Sequence, residues 1–139
     1  DRGPAVPVPL KSGRALVMDD EAPIRLLADA VLRRMGFSVT AVEDGAKALD
    51  AYAEALAQGK PFDVVVLDLT VAGAMGGAEA MEKIRALDPN VRAVVSSGYS
   101  SDPIMANYRA HGFRGRAPKP YTAQELSNVV SAVVRDGEA

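Results

Sequence analysis

Asp63-Val64-Val65-Val66-Leu67-Asp68-Leu69 decides how this chain folds. Val64 to Val66 are β-branched and Leu67 is apolar, so the run is too short for an ordinary helix and lacks the polar alternation of a half-exposed strand. A strand predicted over 63–67 therefore belongs inside a parallel sheet covered by helices on both faces. It leads directly into Asp68, an acid at the carboxyl end of a central strand. In open parallel sheets, that edge is where ligands collect.

Working outward, residues 15–18 form a second apolar run of the same kind, and residues 91–95 are a third strand candidate. A weaker strand is expected over 38–42, and 115–117 is marked by its position before Lys119-Pro120. Helical periodicity fills the gaps. Ile24, Leu27, Val31 and Met35 mark a first helix stopped by Gly36. Ala46, Leu49, Ala53 and Leu56 mark a second; Ala80, Ile84 and Leu87 mark a third, ended by Pro89. A short fourth is expected over 103–108. In the last, Thr122 and Glu125 form a capping box ahead of Leu126, Val129, Val130 and Val133. Five strand-helix units predict an α/β fold around a parallel sheet.

The 139 residues, 48% of them apolar, suffice for one core and not two. A net charge of −2 leaves no electrostatic footprint for nucleic acid or an anionic membrane. Without cysteine there are neither disulfides nor thiolate metal sites, which agrees with a cytoplasmic location. No apolar run approaches the roughly 20 residues that cross a bilayer. Residues 1–13, with Pro4, Pro7 and Pro9, read as a linker from an upstream portion of a longer protein. Residues 14–135 form the domain, and 136–139 a short polar tail.

Asp19, Asp20 and Glu21 follow the first strand and meet Asp68 at the same sheet edge. Carboxylates crowded together raise one another's pKa unless a cation neutralises them, and Mg²⁺ with oxygen ligands suits such a site. Ser96-Ser97-Gly98 adds a hydroxyl and a backbone amide after the fourth strand, and Lys119 a positive charge after the fifth. Acids, a hydroxyl and a lysine on separate strand ends are the parts phosphoryl transfer needs, with an Asp as nucleophile.

Leu16-Val17-Met18-Asp19-Asp20-Glu21, Val66-Leu67-Asp68-Leu69, Val95-Ser96-Ser97-Gly98 and Lys119-Pro120 resemble, in order and spacing, the signature segments of response-regulator receiver domains of two-component signalling. The resemblance implies a flavodoxin-like doubly wound (βα)5 fold with strand order 2-1-3-4-5. It implies that Asp68 takes a phosphoryl group from a phosphohistidine, with Mg²⁺ held by Asp20, Asp68 and the Thr70 backbone carbonyl and by Asp19 through a water. Ser97 and Lys119 would contact the phosphoryl group, Thr70 and Tyr99 would tune its lifetime, and Lys119-Pro120 would be cis. Its implied partners are a histidine kinase's phosphohistidine domain and a histidine phosphotransfer protein. The chain departs from the family in three places. Ala72 replaces a proline, the loop Gly73-Ala74-Met75-Gly76-Gly77 is one residue longer than usual, and Arg116 stands where the family has an aromatic switch. The long loop resembles receivers at the C-terminus of hybrid histidine kinases, whose parent protein is open to membrane attachment.

Plainer readings stand beside these. Asp at strand ends also serves turns and helix caps, and strand-end serine and lysine are ordinary loop residues. His111, the one histidine, reads as a helix-end residue. Three other functions compete. A degenerate receiver would only bind partners. A phosphatase of the haloacid dehalogenase type needs a second Asp where Thr70 stands. An FMN carrier of the flavodoxin type needs a phosphate loop where Asp19, Asp20 and Glu21 would repel the phosphate.

Overall fold

A computed structural model describes residues 13–99 and 101–136. Five strands alternate with helices: β1 Arg14–Met18, α1 Ala22–Arg34, β2 Ser38–Val42, α2 Gly45–Ala57, β3 Val64–Asp68, α3 Gly77–Leu87, β4 Ala93–Ser97, α4 Pro103–Ala106, β5 Gly115–Pro118 and α5 Ala123–Asp136. All strand pairs are parallel and the order is β2-β1-β3-β4-β5, the doubly wound arrangement expected. The linker expected over 1–13 lies, up to residue 12, outside the described residues, as does the tail beyond Asp136.

Burial along the strands follows from that order. Central β3 and β4 are buried at all five positions each, whereas edge strand β2 is partly exposed throughout. Side chains alternate between two cores. One lies under α1 and α5 and contains Val17, Val66, Val94, Ala117, Leu32 and Leu126. The other lies under α2 and α3 and contains Leu16, Val65, Val95, Tyr52 and Ile84.

Four local expectations are corrected. β4 begins two residues later than expected, so Ser96 and Ser97 close the strand rather than follow it; likewise Asp68 is the last residue of β3. The buried face of α2 is Gly45, Ala48, Tyr52 and Ala55 rather than the stripe through Ala46 and Leu49. Small residues let α2 approach closely, and Tyr52 becomes buriable because its hydroxyl donates to Asp88 at 2.6 Å. Leu87 is 49% exposed, since α3 ends there and turns its last side chain out of the core. Finally, the fourth helix is one turn long and gives way to a 3-10 turn at Tyr108–His111. The capping box forms as read: the Thr122 amide donates to Glu125, and the Glu125 amide to the Thr122 hydroxyl.

Candidate functional site

The carboxyl ends of β1, β3 and β5 converge on one buried cluster. Asp19 directly follows β1, and its amide is held by the Val42 carbonyl. Pro23 lies in the first turn of α1, where a missing amide proton costs nothing, so the helix starts immediately after Glu21 and holds the three acids in a tight corner. Ligand oxygens of Asp19, Asp20 and Glu21 all lie within 4.8 Å of one another. Lys119 leaves β5 through a cis bond to Pro120, its amide bonded to the Ser97 carbonyl.

Lys119 ties the cluster together. Its ammonium lies 3.3 Å from Asp19, 3.3 Å from Asp68 and 3.4 Å from Glu21. The two aspartates are buried side chains and Glu21 is exposed. Asp19 is satisfied on both oxygens, one accepting the Glu21 amide at 2.9 Å and the other Lys119. Asp68 is held less fully: Lys119 pairs with one of its oxygens, and neither oxygen makes a geometrically proper hydrogen bond among the described residues. A buried carboxylate with an ion pair on one oxygen and no hydrogen bond on either is costly unless something else binds it, and a hard cation meets that need.

Electrostatics agree with the geometry. Burial above all, and then the charge of Asp19, push the Asp68 carboxyl up to about 6, with Lys119 holding it back. Asp19 is raised for the same first reason, burial. For Lys119, burial favours the neutral amine, but the Asp68 and Asp19 charges outweigh it and the net direction is upward. Tyr121 is buried beside the acids, and burial together with their charge raises its hydroxyl.

The other candidates are placed less uniformly. Thr70 is exposed in the loop after β3. The Ser97 hydroxyl is buried and accepts the Tyr99 amide at 3.0 Å, while the Tyr99 side chain is exposed. Arg116 points elsewhere: it donates to the Met105 carbonyl at 2.9 Å, and its guanidinium lies over the Tyr108 ring. Two contacts escaped sequence reasoning. Arg25 donates to the Asp19 carbonyl at 2.8 Å, and Glu21 shares Lys119. Arg25 sits one helical turn past Glu21, a spacing that was legible; the Glu21 contact spans 98 positions and was not.

The family model of the response regulator receiver domain matches residues 15–131. This chain belongs to that family. The receiver is 26% identical over 117 residues to sporulation initiation phosphotransferase F of Bacillus subtilis, covering 84% of this chain and 90% of that protein. It is 28% identical over 123 residues to sensor kinase CckA of Brucella abortus, covering 88% of this chain and 13% of the kinase. Among solved structures, a response regulator receiver protein from Sinorhizobium medicae is 30% identical with a TM-score of 0.74, covering 92% of this chain and 98% of that one. A CheY-like receiver from Methanospirillum hungatei, 20% identical with a TM-score of 0.77, shows the shared fold. The receiver is thus a module of two-component signalling, and neither the phosphatase nor the FMN-carrier reading is favoured. Receiver domains are generally Mg²⁺-dependent, and the acidic corner such an ion needs is present.

Proposed function

We propose that Asp68 is the phospho-acceptor of this receiver. The observation that carries the reading is its carboxylate: 1% exposed, without a geometrically proper hydrogen bond among the described residues, and 3.3 Å from the partly buried Lys119 ammonium. One Asp68 oxygen forms a bond to phosphorus as the P–N bond of a phosphohistidine breaks. The electron pair leaves on the imidazole nitrogen, which ends protonated. Lys119 would balance charge on the transferred oxygens, and Ser97, whose oxygen accepts the Tyr99 amide, would donate its own proton to them.

Asp20, Asp68 and the Thr70 carbonyl would hold Mg²⁺, with Asp19 assisting through a water. When bound, Mg²⁺ neutralises the acid cluster and the charge that gathers on the phosphoryl oxygens. Thr70 and Tyr99 would set the lifetime of the acyl phosphate from the rim. The partners would be a histidine kinase's phosphohistidine domain and a histidine phosphotransfer protein, all meeting in the cytoplasm. Similarity to a sensor kinase over 13% of that kinase supports placement within a hybrid kinase.

Intact mass after exposure to acetyl phosphate or phosphoramidate tests the reading. A Mg²⁺-dependent gain of one phosphoryl group, lost in Asp68→Asn, is the expected result. No gain under any condition would leave the degenerate, partner-binding receiver.

A further inference from the structure

Lys119 does not hold its three acids alike. Its ammonium donates hydrogen bonds to Asp19 at 3.3 Å and to Glu21 at 3.4 Å. Asp68 lies at 3.3 Å, no farther away, yet it is held by charge alone, since neither of its oxygens makes a proper hydrogen bond among the described residues. An ammonium has three N–H donors, and here two of them serve other acids than the acceptor. The Glu21 contact is also separate from helix capping. Glu21 occupies the N-cap of α1, where an acidic side chain can accept amides of the first turn, and it makes no such bond. Its backbone is fixed instead: the Glu21 amide donates to Asp19, and its carbonyl accepts the Arg25 amide. The carboxylate is thus carried on a firm corner and meets a lysine 98 positions away.

The three contacts differ in what their loss costs. Asp19 and Asp68 are buried, so a lost partner leaves a charge that water reaches poorly. The Glu21 side chain is 61% exposed, and its carboxylate rehydrates when the lysine leaves. A phosphoryl group on Asp68 adds negative charge and acceptor oxygens beside Lys119 and draws its donors. Glu21 is the acid that can release one at least cost.

Building on the reading of Asp68 as phospho-acceptor, we propose that Glu21 restrains this receiver: at rest it keeps one Lys119 N–H donor from the acceptor site, and Lys119 leaves it for the phosphoryl group during transfer. Glu21 is a positioning residue that acts through Lys119. The covalent step is unchanged, one Asp68 oxygen bonding to phosphorus as the donor's bond to phosphorus breaks. Glu21 takes and gives no proton; Lys119 exchanges a hydrogen bond to a Glu21 oxygen for one to a phosphoryl oxygen.

The test compares Glu21→Asp, which keeps the charge and shortens the reach by a methylene, with Glu21→Ala, which removes both. Initial rates of phosphorylation of the whole chain by acetyl phosphate, at saturating Mg²⁺, are followed by intact mass. Loss of an exposed ion pair corresponds to roughly 2- to 5-fold, and both variants should be faster than the native chain by that factor. Any other pattern overturns the proposal while leaving Asp68 as acceptor; Ala faster with Asp at the native rate, in particular, would show that Glu21 merely repels the donor's phosphate. A second readout needs no phosphorylation. The nitrogen resonance of the Lys119 ammonium, identified by its loss in Lys119→Arg, should shift in both variants before any donor is added, and an unmoved resonance would overturn the proposal by showing that Glu21 does not hold the lysine. If the native chain gains no mass, or Asp68→Asn gains as much, the acceptor reading fails and takes this proposal with it, while the resonance still reports the contact itself.

Discussion

Asp68 shows how one side chain carries both the chemistry and a cost. Its carboxyl is shifted from the ordinary 3.8 up to about 6. Between those values the folded chain holds a proton that the unfolded chain has released, so stability falls as pH rises from about 4 to 6. Above 6 the whole penalty is present, on the order of 2–3 kcal/mol. In metal-free buffer, urea unfolding should find Asp68→Asn more stable than the native chain at pH 8, with the difference vanishing by about pH 4. An equal difference at both pH values would show that the charge is not its cause. Lys119 lies between two buried carboxylates, so Lys119→Met should destabilise by roughly 3–5 kcal/mol at pH 8, read from the same unfolding curves.

At the scale of elements, the start of α3 sets the site's precision. A Cβ on Gly77 would lie 2.6 Å from the Asp68 carbonyl oxygen, and one on Gly76 2.5 Å from that of Leu69. Both contacts are with backbone, which cannot swing aside as a flexible side chain can. Gly77→Ala should therefore displace the end of β3, lowering the unfolding midpoint and slowing phosphorylation together. Helix α2 is anchored to the far end of α3 by the Tyr52 hydroxyl on Asp88. Tyr52→Phe should cost about 1–2 kcal/mol of stability by denaturant titration and leave the phosphorylation rate near native, because the bond lies away from the acid corner.

For the molecule as a whole, the acid corner links metal binding to stability. A ligand that binds only the folded state at 100 times its dissociation constant stabilises it by about 2.7 kcal/mol, so Mg²⁺ should raise the thermal midpoint by several degrees. Asp68→Asn and Asp20→Asn should lose most of that shift. A shift of native size in both variants would place the ion elsewhere. Arg116 sets this receiver apart at the same scale. Its guanidinium bridges β5 to the Met105 carbonyl and the Tyr108 ring, tying the segment after β4 to the edge of the sheet.

The sequence by itself determined the fold and the identity of the acids. Short apolar runs such as 64–67, too brief for an ordinary helix, point to buried strands, capping residues mark helix starts, and acids at strand ends collect at one edge of a parallel sheet whatever the packing details. Only the tertiary structure decided which face of α2 is buried, that Lys119 is shared with Glu21, and that Ser96 is the register partner of Asp68. Each of those depends on register or on contacts between residues far apart in the chain. Periodicity along one element carries no information about how two elements are aligned.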